Sequence, residues 1–129
     1  LSVVGDTLRS LWEPRAELDG YPGVIHGGIQ ATLADEIGGW FIHVIKGTAG
    51  MTRDLQIRYH NPAETANAPF TLEAREVESD AKRAVLTVEL RGDDGTLFST
   101  ATVTYAVFSE MVARKRLSFP GKEAFQPKE

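Results

Sequence analysis

One segment alone in this chain carries a helical repeat long enough to organise a domain. From Gly27 to about Ile45 the apolar residues Ile29, Leu33, Ile37, Trp40, Phe41 and Val44 return at steps of three and four, which places them on one stripe of an α-helix. At 1.5 Å per residue this is a rod of roughly 28 Å, long enough to cross a small sheet. Gly47 and Gly50 end it, and from there to about Phe108 the pattern switches to period two. Met51, Arg53, Leu55, Ile57 and Tyr59 share one face of a first strand that stops at Asn61-Pro62. Further strands follow at Phe70–Arg75, Ala84–Leu90 and Leu97–Phe108, with turns at Ser79-Asp80 and Gly92-Asp93-Asp94-Gly95. Ahead of the helix, Leu8–Glu13 alternates as a short strand closed by Pro14, and Asp19-Gly20-Tyr21-Pro22-Gly23 breaks regular structure. One strand, one helix and four successive strands imply an α+β domain, in which an antiparallel meander is covered on one face by a single helix.

At 129 residues the chain amounts to one core, which excludes separate cofactor and substrate lobes. Its 42% hydrophobic content is too high for disorder, and no apolar run reaches the ~18 residues of a membrane span. Neither a basic leader nor a spanning segment is visible, so a cytoplasmic protein is expected, off the membrane. The net charge of −4 argues against a nucleic-acid partner. That charge is unevenly spread: residues 1–110 hold 9 basic and 16 acidic side chains (−7), whereas 111–129 hold 5 and 2 (+3). The expected division is a domain over 1–110 and a solvated basic tail over 111–129. Without cysteine, thiolate metal sites and cysteine nucleophiles are excluded.

Chemistry concentrates where the helix begins. Gly27-Gly28 leave the first helical N–H groups uncovered by side chains, and with the positive end of the helix dipole these donors suit an oxyanion or a polarised carbonyl. The same pair would serve a tight opening turn equally well. Asp35 lies inside the helix, where aspartate is unfavourable, and its neighbours three and four residues away are Ala31, Thr32, Gly38 and Gly39. Such small neighbours leave a channel in which another group could approach the carboxylate, against the ordinary alternative of a solvated charge. Glu36, about 100° further round, belongs on the solvated edge. Eight residues of helix separate Gly27 from Asp35, about 12 Å, so one carbonyl cannot touch both. If they act on one group they come from two antiparallel helices related by a two-fold axis, and the working unit is a homodimer.

Gly20, Pro22, Gly23, His26, Gly27, Gly28 and Asp35 together form a Gly-x-Pro-Gly-x-x-His-Gly-Gly pattern with an acid nine residues after the histidine. This pattern resembles the hotdog-fold thioesterases, in the branch similar to the phenylacetate-pathway and mammalian acyl-CoA thioesterase-superfamily proteins. The run Met51-Thr52-Arg53-Asp54-Leu55-Gln56-Ile57-Arg58-Tyr59-His60-Asn61-Pro62 resembles that family's central strand, and the likeness covers about residues 5–110. It implies one long central helix wrapped by a five- to six-stranded antiparallel sheet, and subunits paired edge to edge as a homodimer or a dimer of dimers. It also implies hydrolysis of an acyl-CoA, or acyl-carrier, thioester without metal or organic cofactor. In the roles so implied, Gly27 N–H polarises the thioester carbonyl, Asp35 of the other subunit is general base or nucleophile, Thr52 orients water, and His26 supports the turn near the carbonyl. Several relatives place an asparagine six residues before the motif histidine, where this chain has Gly20. That departure sustains a second reading, a non-catalytic acyl-thioester binder or sensor.

Substrate contacts are expected from Gly28, from Tyr21 and Trp40 beside the acyl group, and from Arg53, Arg58 and Arg83 toward the coenzyme A phosphates; Lys82, Arg114, Lys115 and Arg116 are further basic candidates. His43 in the last helical turns has no partner at ligand spacing, and His60 reads as an ordinary strand-end residue.

Overall fold

In the computed structural model, which describes residues 1–14, 19–21, 23–109, 111 and 112, the helical repeat forms α1, Gly27–Phe41. It continues into a π-helical turn over Ile42–Lys46 and stops at Gly47, whose φ of 71° is the left-handed geometry that ends a helix at little cost to glycine. The strands are β1 (Ser2–Val4), β2 (Thr7–Trp12), β3 (Asp19–Tyr21), β4 (Val24–Ile25), β5 (Gly50–Tyr59), β6 (Phe70–Ser79), β7 (Arg83–Arg91) and β8 (Leu97–Val107). Six of them form one antiparallel sheet in the order β1-β2-β6-β7-β8-β5. Ile37 and Phe41 of α1 pack against Leu8, Phe70, Leu86 and Val103 of that sheet, all nearly or fully buried. A single long helix wrapped by a six-stranded antiparallel sheet is the hotdog architecture the sequence implied.

Four features differ from the sequence reading. Ser2–Val4 forms an additional strand, paired to β2 across a Gly5-Asp6 turn in which Gly5 has φ 63°. The supposed breaker Asp19–Tyr21 is β3, joined to β4 as a separate two-stranded ribbon leading to the helix. The last four strands are not one meander. Only β6-β7-β8 follow in sequence, and β5 lies beyond β8 at the sheet edge because residues 60–69 cross to the other side rather than close a hairpin.

The fourth difference decides the site. Thr52 pairs with Tyr105 and Asp54 with Thr104, so Arg53 is an extra residue in a β-bulge. Beyond it, Leu55 opposes Val103 and Ile57 opposes Ala101, with their side chains toward the helix. The extra residue reverses the alternation, so that Thr52 joins Leu55, Ile57 and Tyr59 on the helix face while Met51 and Arg53 do not.

Ion pairs lace the outward face, Arg9 with Glu73 and both Arg75 and Arg91 with Glu89 among them, and a further pair ties the helix end to β6: Lys46 Nζ lies 2.7 Å from Glu76 Oε1. The hydrogen bond from Lys46 is the largest of the effects that hold the Glu76 carboxyl below its ordinary range, with the Ser79 hydroxyl and the lysine charge adding to it. A depressed carboxyl stabilises the fold above its unfolded-state pKa, and this contribution is lost as pH falls through the folded value. For a solvent-screened pair it is at most about 1 kcal/mol. Lys46→Met is therefore expected to lower urea stability by less than about 1 kcal/mol at neutral pH and by nothing well into acid, as paired melts will show.

Candidate active site

The N-terminus of α1 is built by side chains from both directions. His26 is the N-cap, and its Nδ1 accepts the Gly28 N–H at 2.8 Å, which places the ring proton on Nε2. The His26 carbonyl accepts from Ile29 and Gln30 at 3.1 and 3.2 Å. From β5, the Tyr59 hydroxyl donates to the Gly27 carbonyl at 2.6 Å. Partial burial raises this phenol above the usual tyrosine value, so it stays a donor. The Gly27–Gly28 peptide is thus held at its N–H by an imidazole and at its C=O by a phenol. A Cβ on Gly27 would stand 3.0 Å from Tyr59 Cζ and Oη, so the glycine is needed for that close approach. The two open amides expected of the glycine pair reduce to one. Gly28 N–H is committed to His26, and Gly27 N–H, at the first helical position, has no intrahelical acceptor. Beside it Gly27, Gln30, Tyr59, Asn61 and Pro62 line a depression of about 310 Å³.

Two turns along, Asp35 is half-buried and tied to the sheet. Thr52 Oγ1 donates to Asp35 Oδ1 at 2.8 Å, an approach the Arg53 bulge makes possible. Tyr105, 2% exposed on β8, sets its hydroxyl 2.9 Å from Asp35 Oδ1 and 2.9 Å from the Asp35 carbonyl. Burial first, then the hydrogen bond and charge of Asp35, push this phenol far above the ordinary tyrosine value. The small neighbours of Asp35 now have separate reasons. A Cβ on Gly38 would fall 2.1 Å from the Tyr105 oxygen, whereas one on Gly39 would meet nothing within 4 Å. Thr32 turns its hydroxyl back to the Gly28 carbonyl at 2.9 Å. Glu36 is exposed, as its helical phase requires.

The other expected contacts scatter. Arg53, Lys82 and Arg83 do converge, with Asp80, around a depression of about 670 Å³, but it shares its lining with Thr104 and Ala106 on the outward face of the sheet, away from Asp35. Arg83 is also paired to Glu78 at 2.7 Å. Arg58 lies apart from them, with His60, Thr100 and Thr102. Trp40 lines a groove of about 260 Å³ with Trp12, Leu33 and Ile37, between α1 and β2. Five residues on from Asp35, it is about 140° round the helix, on a different flank. The Tyr21 side chain and the basic residues Arg114, Lys115 and Arg116 lie outside the described residues. His43 Nδ1 is 3.0 Å from the Thr48 carbonyl and His60 Nε2 is 2.9 Å from Thr100 Oγ1. Among the described residues no three metal-ligating side chains gather, and no helix is long and apolar enough to cross a membrane.

Tyr59 and Tyr105 are the contributors that the sequence did not reveal as site residues. Both occupy strand positions that read as core, and only their register opposite the helix distinguishes them.

The fold is that of a hotdog domain, whose helix α1 carries a helix-opening amide at Gly27 and an anchored carboxylate at Asp35. The thioesterase-superfamily family model matches residues 22–99, and the chain belongs to that superfamily. A search of curated proteins returned no match. Among solved structures, a Streptococcus mutans UA159 protein bound to acetyl CoA is 21% identical over 85% of this chain and 87% of its own, with a TM-score of 0.75. Zebra fish thioesterase superfamily member 2 is 24% identical over 84% and 79%, with a TM-score of 0.75. A hypothetical thioesterase protein from Streptococcus pneumoniae TIGR4, solved with coenzyme A, is 22% identical over 81% and 83%, with a TM-score of 0.72. At these identities the likeness speaks for the fold.

Proposed function

We propose that this protein hydrolyses acyl-CoA thioesters at a site shared by two subunits. The observation that carries the reading is the layout of β5. It is a ten-residue strand with one edge unpaired among the described residues, it holds Thr52 against Asp35 at one end, and it holds Tyr59 against Gly27 at the other. Antiparallel pairing of β5 with its copy about Gln56, with Arg53 taken up by the bulge, sets Thr52 of one subunit opposite Tyr59 of the other. Asp35 of the partner subunit then comes beside Gly27, across the gap of about 12 Å that no single helix closes. A long unpaired edge is also a template for such pairing.

Gly27 N–H and the dipole of α1 polarise the thioester carbonyl and receive its developing negative charge. The partner's Asp35 acts in one of two ways. As general base it takes a proton from water while the water oxygen bonds to the carbonyl carbon. As nucleophile it forms that bond itself, and water then cleaves the anhydride. In either course the C–S bond breaks, the sulfur leaves with the electron pair and is protonated, and the products are a free acid and coenzyme A.

The test is thiol release, followed with a thiol reagent, from a panel of short, medium and aromatic acyl-CoAs. Turnover of at least one class is expected, together with a dimer or larger assembly in solution. Tight binding of acyl-CoA with no thiol released would favour the binder reading that Gly20 sustains, and a monomeric active enzyme would overturn the shared site.

A further inference from the structure

The described residues spend two hydroxyls on one oxygen of Asp35. Thr52 Oγ1 and Tyr105 OH lie 2.8 and 2.9 Å from Oδ1, whereas no described residue donates to Oδ2. A carboxylate oxygen has two good acceptor directions, and with both occupied at Oδ1 the group cannot rotate without losing a bond. Tyr105 adds a second restraint, because its single proton is shared with the backbone carbonyl of the same residue at 2.9 Å. It fixes side chain and main chain of Asp35 together.

The cost of this arrangement shows that it is built rather than incidental. A tyrosine 2% exposed needs a partner for its hydroxyl, and α1 supplies the space for it only by carrying glycine at position 38. Phenylalanine at position 105 would fill the same core without needing a buried partner.

We infer that Tyr105 is a positioning residue of the hydrolytic site: with Thr52 it pins Asp35 through Oδ1, leaving Oδ2 as the oxygen that meets water or the thioester. The inference rests on the thioester reading above. Because the phenol is held protonated far above its usual range, it remains a donor wherever the enzyme is assayed.

The test is Tyr105→Phe, assayed beside wild type, Asp35→Asn and Val103→Ala. Val103 is a buried neighbour on the same strand and in the same core, with no polar side-chain atom to offer Asp35, so its truncation reports loss of packing without loss of a hydrogen bond. Tyr105→Phe is expected to lower kcat about tenfold or more, the loss of one hydrogen bond to a charged group, with KM within about twofold of wild type. Val103→Ala is expected to lower the melting temperature and leave kcat. If Tyr105→Phe is recovered insoluble, Gly38→Ala displaces the same hydroxyl with the tyrosine retained and must show the same split. Wild-type kcat in the Tyr105→Phe protein, or a change no different from that of Val103→Ala, overturns the positioning role while Asp35→Asn still reports on hydrolysis. A wild-type protein that releases no thiol overturns the thioester reading, and this inference with it.

Discussion

Asp35→Asn is expected to leave the fold standing and to reduce kcat on acyl-CoA by roughly 10²- to 10⁴-fold, the usual share of a positioned acid–base group. The substitution is nearly isosteric, and the geometry dictates how the amide settles. Thr52 and Tyr105 both donate to Oδ1, so the carboxamide oxygen takes that position and the NH₂ group replaces Oδ2. An amide nitrogen neither takes a proton from water nor attacks a thioester, so the loss falls on the chemical step whichever role the carboxylate plays. In the proposed site, substrate is held by the Gly27 amide and the depression beside it, so binding of a non-hydrolysable acyl-CoA analogue should change little. The measurement is saturating thiol release, with oligomeric state and melting temperature as controls. A variant within about threefold of wild-type kcat would remove Asp35 from the mechanism.

How much of this could be read beforehand depended on the range of each signal. The helix was visible because a stripe from Ile29 to Val44 is a local pattern, and the strands from β5 to β8 were visible for the same reason. The pairing of β5 was not, because alternation says which face a strand buries and nothing about which neighbour it takes. The ten residues between Tyr59 and Phe70, with prolines at 62 and 69, were nonetheless too long for a tight hairpin and carried that warning. The bulge at Arg53 had no local mark at all. Met51, Arg53 and Leu55 alternate without interruption, and only the register against Thr104 and Tyr105 shows that a residue is extra. Asp35 and Gly27 stood out through unusual residue types at a helix position and a helix start. Tyr105, 70 positions from the aspartate it holds, looked like any apolar strand residue. Gly38 is the one place where the sequence hinted at that partner, since a glycine in a buried helical face implies that something approaches it.

That glycine supplies the second large effect. Gly38→Ala raises intrinsic helix propensity by nearly 1 kcal/mol, and on an exposed helix it would stabilise. Here the new methyl would stand 2.1 Å from the Tyr105 oxygen and 2.9 Å from its Cζ, closer than any real contact. The ring is buried between α1 and β8, so it cannot simply swing into solvent. Overpacking of this kind costs about 1–3 kcal/mol, which outweighs the propensity gain and leaves a net loss of up to about 2 kcal/mol. For a domain of this size a melting point lower by up to roughly 8 °C is expected. A merely crowded core would lose stability alone, but the displaced oxygen is the one bonded to Asp35, so kcat should fall with the melting temperature. Pairing the change with Tyr105→Leu, which empties the contested space, should make the double variant more stable than the sum of the two single losses implies. Additive losses would mean that Gly38 and Tyr105 do not meet as the geometry requires, and the anchoring of Asp35 from beneath the sheet would have to be abandoned.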